Sequence, residues 1–391
     1  MSTSTVWSIM KMILGVSLLF PSLVFSVEYY VDANNGNDAN DGSEAAPWKT
    51  IGHALNPPGR WLGSDTHTLY ILPGTYNELV SLVPIPLRSL NISGISLDGE
   101  MPIINAPDHT EYHAIQTIDY SGTIQGLEVT GAAWNGIDIG GNSLQATVRN
   151  CRIHGNNKGI HVNTTGTPLL QGNTIYENNE CGIGNMGDAS ATISGNQIYH
   201  NGNGNVSGPS AGICVAQNSF PKIMNNTIRN NSPSGINIVD SAHPVISNNI
   251  IAHHRDDVLG TGIKVVLTAD NDGVIISNNI IYDNDYALYN PGEREISGNS
   301  YNSFWQNSEN YFGFSTGSND IFIDPLLTAD YHVAAGSPCI DSGTSFNAPE
   351  NDRDGTPRPS GTGFDRGVYE YQERRRGAVL LSSIVFLLLT Q

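Results

Sequence analysis

Through the middle of the chain, short runs alternate aliphatic and polar residues, and each run is closed by a turn. Written from the first aliphatic position, the copies read VRNCRI (Val148–Ile153), LQGNTI (Leu170–Ile175), ISGNQI (Ile193–Ile198), IMNNTI (Ile223–Ile228), ISNNII (Ile246–Ile251) and IISNNII (Ile275–Ile281). IQGLEV (Ile124–Val129) precedes them, and ISGNSY (Ile296–Tyr301) is read as the closing copy. A second short apolar run follows most copies after a turn: GIDI, GIHV, GIGN, GICV, GINI, GIKV. The last aliphatic positions, Val129, Ile153, Ile175, Ile198, Ile228, Ile251 and Ile281, recur mostly at a period in the low twenties, with no helical spacing between them. Such a period predicts a solenoid of short strands.

The pattern predicts an all-β chain, a right-handed parallel β-helix in which each repeat is one coil. Ile and Val on alternate positions point inward and stack on their counterparts one coil away, about 4.8 Å along the axis. Coils are expected over residues 68–308, with Ile153, Ile175, Ile198, Ile228, Ile251 and Ile281 in one buried stack. The recurring Asn173, Asn196, Asn226, Asn249, Asn279 and Asn299 are assigned to one fixed corner. There each amide would bond the next, on a backbone that Asn can hold left-handed. Their presence in every coil points to a structural ladder rather than to sugar ligands.

The ends of the chain differ from the repeat. Residues 1–26 hold Lys11, an apolar run and Val24-Phe25-Ser26, and read as a secretory signal peptide. Residues 27–67 read as an N-terminal cap over the open apolar core. In this cap Asp32, Asp38 and Asp41 offer oxygen ligands of the kind Ca²⁺ takes, without EF-hand spacing, and Asx-turn hydrogen bonding is the other role open to them. Residues 309–371 leave the repeat and are expected to cap the far end. Residues 372–391, three Arg followed by an apolar run, are expected to act as a membrane or envelope anchor.

Tyr-Val-Asp at 30–32, the Asn-Gly-Asn-Asp loop after it, Pro-Trp-Lys-Thr-Ile at 47–51 and Pro-Gly-Thr-Tyr at 73–76 resemble the start of secreted bacterial β-helix proteins of the pectin-lyase-like superfamily. The segments FIDPLL, SPCIDSG, DRDGTPR and DRGVYEY resemble the choice-of-anchor tail that follows many such helices, departing from it at Arg366 and Val368. The resemblance implies the fold and a cell-surface or secreted setting. Lyases of that superfamily use a Lys or Arg base beside Ca²⁺-binding acids, and no such set maps residue by residue onto this chain.

Lys+Arg 18 against Asp+Glu 37 gives a net charge of −19. That disfavours nucleic acid and anionic lipid as partners, and a polyanionic sugar unless a cation bridges it. The four Cys (Cys151, Cys181, Cys214, Cys339) have no metal spacing. Cys151 takes the corner-Asn position, and a disulfide is left open.

Two turns are enlarged, at His200–Ala211 and Ala252–Thr261, with one ordinary coil between them carrying Arg229. Two such walls with a floor predict a groove. Its catalytic candidates are Arg229, His200, Glu177 and Asp256, His200 being the chemically easier proton-transfer group. Tyr176, Tyr199, His253 and Tyr282 are its expected sugar-binding residues, and the second turn adds His254 and Arg255. On the opposite outward column Asp138 and His161 lie one coil apart, within hydrogen-bonding reach. The sequence thus predicts a monomeric protein directed at polysaccharide or cell-surface glycan, by binding or by lyase- or hydrolase-type cleavage. A glycan epimerase is held in reserve, and the alternative is a non-catalytic surface scaffold.

Overall fold

Ile153, Ile175, Ile198, Ile228, Ile251 and Ile281 pair in register from strand to strand and are fully buried. The computed structural model describes residues 27–56, 66–82, 90–106, 112–143, 145–202, 210–255, 259–268, 273–292, 296 and 298–373; the expected signal peptide and nearly all of the basic-apolar tail lie outside them. Among the described residues the strands form three parallel sheets of 11, 10 and 10 strands. The chain is a right-handed parallel β-helix. Each coil visits sheet 1 (for example Thr147–Arg149), sheet 2 (Arg152–His154) and sheet 3 (Lys158–Thr164) before climbing one step. Sheet 1 stacks Ile124, Val148, Leu170, Ile193, Ile223, Ile246 and Ile276. Sheet 3 stacks Ile137, Ile160, Ile183, Ile213, Ile236 and Ile263.

The corner between sheets 1 and 2 carries the expected amide ladder. Asn173 Nδ2 donates to Asn196 Oδ1 (3.0 Å), and the chain of bonds continues through Asn226, Asn249 and Asn279. Its last rung corrects the sequence reading. Asn279 donates to Asn302, not Asn299 (3.0 Å). Asn299 instead pairs with Ile276, and Phe304 follows Ile281, so the closing copy is NSYNSF (Asn299–Phe304) rather than ISGNSY. The left-handed backbone also falls one residue earlier than expected, on Gly172, Gly195, Asn225, Asn248 and Asn278. The ladder Asn itself is free to turn its amide inward.

A second ladder fills the corner between sheets 2 and 3: Asn156, Asn178, Asn201 and Asn231, resuming at Asn284 and Asn307. It explains the glycine before each inward Ile of sheet 3. A Cβ on Gly159 would lie 2.5 Å from Gly182 O and 3.0 Å from the Asn178 amide.

His254 replaces one Asn in this second ladder. Its Nδ1 lies 2.8 Å from Asn284 Oδ1, and its Nε2 lies 3.5 Å from Asn231 Nδ2. An imidazole that donates on one side and accepts on the other must be neutral. Burial depresses its pKa to about 4. The unfolded chain therefore takes up this proton first, near pH 6.5. The stability tied to His254 is complete above pH 6.5, falls as pH drops toward 4, and is lost below it, about 3 kcal/mol in all. Asp365, raised to about 6 by burial, acts in the opposite sense over part of the range, so wild type must be compared with His254→Asn. Unfolding at pH 7.5 and pH 4.5 should show the variant gaining about 2–3 kcal/mol on wild type at the acid value. A parallel response of the two proteins would remove the neutral-imidazole assignment.

At the N-terminal end Val27–Val31 pairs with His67–Ile71 as the edge strand of sheet 1. The loop behind it bonds back through Trp48 N to Tyr30 O and Tyr30 N to Gly42 O, covering that edge. Asp32 Oδ1 accepts from Asn34 N and Asn35 N, Asp38 Oδ1 from Lys49 N and Thr50 N, and Asp41 Oδ1 from Ser43 N. All three aspartates organise backbone turns. Among the described residues no group of three or more His, Cys, Asp or Glu side chains is arranged to hold a metal ion.

At the other end the coil runs further than the pattern suggests: Glu309–Phe312 still pairs in sheet 3. The chain then folds back along the flank of sheet 2. Val333, Cys339, Val368 and Tyr369 cluster with outward-facing Ile250, Ala252 and Ile280. Arg366 explains its departure from the tail pattern, because it donates to Asn302 O and Ser342 O and ties the segment to the last coils.

Candidate functional site

The predicted groove lies on the outer face of sheet 2. Tyr176 and Tyr199 stack in parallel at 5.2 Å, His154 stacks on Tyr176 at 4.7 Å, and the Arg229 guanidinium sits 4.4 Å over Tyr199. The structure thus brings Tyr176, Tyr199 and Arg229 into one column. Glu177 and His200 are exposed neighbours on the adjacent left-handed corner, linked through Glu177 N and His200 O. The stack turns the rings on one another, so their faces are occupied and mainly edges meet solvent. A sugar ring needs an aromatic face.

The rest of the set is separated from this column. Tyr282 packs against the cluster that Ile250, Ala252 and Ile280 form with the returning C-terminal segment, as do Tyr331 and Tyr371 of that segment. His253 bonds Asp283 at 2.6 Å, and Arg255 bonds the same carboxylate. His254, expected in the second wall, is buried in the ladder. Asp256 lies outside the described residues.

A different arrangement lies on the outer face of sheet 3. Asn135–Gly141 directs Asp138 outward, and register sets it opposite His161 of Lys158–Thr164. Asp138 Oδ1 is 2.8 Å from His161 Nδ1 and 3.0 Å from Asn135 Nδ2. Asp138 Oδ2 lies 3.9 Å from His113 Nε2. Burial opposes charge on Asp138, but the His161 hydrogen bond, the two imidazoles and Asn135 together hold its carboxyl below the usual range. An ionised carboxylate only accepts, so His161 carries its proton on Nδ1 and leaves Nε2 free to exchange one with a ligand. Burial lowers the pKa of His113, with Asp138 opposing.

The turns before these strands supply the walls. Trp134 and Tyr112 are 51% and 58% exposed. Trp134 meets His113 edge-on at 5.5 Å and lines two neighbouring cavities, of about 510 and 220 Å³. The first runs toward Tyr112 and Gln116, the second toward Lys158 and His161. Lys158 Nζ bonds Glu180 Oε2 at 2.8 Å, and Asn157 donates to the same oxygen. Beyond them Cys181 and Cys214 form a disulfide between adjacent coils. The enlarged turn after His200 is rooted beside this cleft, Ser210 Oγ donating to Glu180 O.

Sequence columns revealed Asp138 and His161 but missed Trp134, Lys158 and Glu180. Their signal was the pair of positions before the recurring glycine of sheet 3: Trp134-Asn135, Asn157-Lys158 and Glu180-Cys181. A larger cavity, about 700 Å³, lies in the C-terminal segment. Asp352 on its wall is engaged by Thr356 N and Glu370 N and serves the fold of that segment.

Residues 135–324 match the family described as right handed beta helix region. A search of curated proteins finds no match. Among solved structures, the chain is similar to pectate lyase Pel9A (TM-score 0.62, 16% identity, 89% of this chain and 97% of that one). It is also similar to a GH136 lacto-N-biosidase from Eubacterium ramulus (TM-score 0.53, 13% identity, 82% and 69%). A third likeness is to a structure described as a glycoside hydrolase (TM-score 0.50, 11% identity, 76% and 96%). At these identities the likeness is one of fold.

Proposed function

We propose that this is an exported, carbohydrate-directed protein that holds a glycan in the cleft between Trp134 and His161, and that His161, oriented by Asp138, exchanges the proton in cleavage of the bound sugar. The observation that carries the reading is the half-exposed Trp134 ring, lining the cavities beside a hydrogen-bonded His161–Asp138 pair. An aromatic face takes the apolar side of a sugar ring, and the free Nε2 reaches its hydroxyls. That the similar folds are described as a pectate lyase, a lacto-N-biosidase and a glycoside hydrolase supports the substrate class. The Lys11-led apolar run and the Cys181–Cys214 disulfide support export into an oxidising compartment. N-terminal sequencing of secreted material should begin near Val27, and an intact Met1 on cytoplasmic product would remove the export.

Purified protein tested on a panel of polysaccharides provides the functional test. Trp134→Ala should weaken binding about tenfold. His161→Ala should lower turnover about 10²-fold or more with a smaller effect on binding. Losses confined instead to Arg229→Ala and His200→Ala would return the site to sheet 2. Binding lost in Trp134→Ala, with no turnover even in wild type, would leave a glycan-binding scaffold.

A further inference from the structure

We infer that the cleft selects uncharged glycans over polyuronates, and that Glu180 sets this preference by neutralising the cleft's cation. The inference rests on the glycan reading of the cleft and narrows its substrate class. Of the described residues lining the two cavities around Trp134, Lys158 is the only lysine or arginine. A uronic acid needs such a group, because a carboxylate leaving water must recover its solvation from a cation or several donors. Lys158 is already committed. Its ammonium lies 2.8 Å from Glu180 Oε2, and the two side chains are only 18% and 13% exposed. The pairing is reinforced, since Asn157 Nδ2 donates to the same carboxylate at 3.2 Å.

The other charges of the cleft act in the same direction. Asp138 is ionised, and either neighbouring imidazole, on gaining a proton, would face that carboxylate: His161 at 2.8 Å and His113 at 3.9 Å. With both histidines neutral, Lys158, Glu180 and Asp138 sum to one negative charge, and one protonated imidazole brings the sum to zero, within a chain of net charge −19. A polyuronate meets long-range repulsion on approach and, among the described residues, no free cation on arrival. A neutral sugar meets the half-exposed Trp134 ring, Asn and Gln amides and a histidine nitrogen, groups that read hydroxyls without requiring charge.

The register explains how the pair is built. Lys158 begins its strand in line with Asn135 below and Cys181 above, and Glu180 directly precedes Cys181. The disulfide to Cys214 fixes that position from the next coil. Glu180 is thus held where it meets Lys158 from one coil above, at the end of the cleft next to the outward position of Gly184, which carries no side chain.

Glu180→Gln keeps the shape and frees the charge of Lys158. Binding of a neutral polysaccharide set and of polygalacturonate is measured at pH 8 and low salt, with EDTA and with Ca²⁺, on wild type, Glu180→Gln and Glu180→Gln/Lys158→Met. Wild type in EDTA should bind only neutral glycans, with dependence on Trp134. Glu180→Gln should gain about tenfold in affinity for polygalacturonate, and the gain should shrink as salt is added. The double variant should lose that gain, which separates the freed cation from any change of fold. Polygalacturonate bound by wild type in EDTA as tightly as a neutral glycan, and through Trp134, would overturn the selectivity while leaving the glycan site standing. Equal affinities of Glu180→Gln and wild type for polygalacturonate would also overturn it. Absence of Trp134-dependent binding to any glycan would overturn the site itself and the selectivity with it.

Discussion

Ile228→Asp should abolish folding of the central coils. Ile228 has no exposed surface and stacks between Ile198 and Ile251 in sheet 2. Losing a large aliphatic side chain from a packed core costs about 2–5 kcal/mol. A carboxyl in its place has no partner in the stack, and it must either stay charged in an apolar interior or take up a proton, at several kcal/mol more. The sum is comparable to the whole stability of an ordinary domain, about 5–15 kcal/mol. In a solenoid each coil is the template for the next, so the damage spreads to neighbouring coils. Circular dichroism and limited proteolysis at 25 °C should show loss of strand signal and cleavage within the repeat. Ile228→Val, at about 0.5–1.5 kcal/mol, should stay folded. A stable, protease-resistant Ile228→Asp would mean that Ile228 does not face the core.

That stack was legible because burial on alternate positions imposes its own period on the sequence. The reading failed where a position is filled by something other than an aliphatic. Asn299 takes the place of Ile276 in the last coil, so the nearby aliphatic Ile296 drew the register three residues too early. The second amide ladder was hidden for a related reason. Asn156, Asn178, Asn201 and Asn231 sit in turns already rich in Asn, and His254 breaks the series where it passes through the enlarged second turn. Loop length marked both enlarged turns, but it does not say which face a turn leans over. Ser210 roots the first beside Glu180 on sheet 3, the side of Trp134, although its column in the sequence pointed to sheet 2. Lys158 and Glu180 come from adjacent coils and are 22 residues apart, and only the coil register brings them together.

The C-terminal segment was recognisable as a unit, but nothing in its pattern tells that it lies along the flank of sheet 2. It is held there in part by charge buried among apolar groups, a feature that a periodicity search does not weigh. Ile250, Ala252 and Ile280 in turn look like ordinary strand residues until the segment that covers them is known.

Glu370→Gln should release that segment. Arg358 and Glu370 pair at 2.6 Å with side chains 0% and 1% exposed. Arg358 also donates to Asn225 Oδ1 in the coil and to Gly367 O, while Glu370 accepts from Ser360 N and Asp365 N. Removing one charge of such a pair leaves the other buried without its counter-ion, at about 3–5 kcal/mol, whereas replacing both by apolar residues of similar size is often near neutral. The amide introduced by the substitution can still accept from a backbone N–H, so the expected loss comes mainly from the stranded guanidinium. Limited proteolysis should cut Glu370→Gln between residues 321 and 373 faster than wild type. A hydrophobic dye should bind more strongly as Ile250, Ile280, Val333 and Val368 are uncovered. Strands of the coil should persist, because their stacks lie on the inner face. Arg358→Met/Glu370→Met should recover much of the protection. If Glu370→Gln resists protease as well as wild type does, the ion pair is not what fastens the segment, and the apolar contact with sheet 2 together with the Arg366 and Asn248 hydrogen bonds holds it instead.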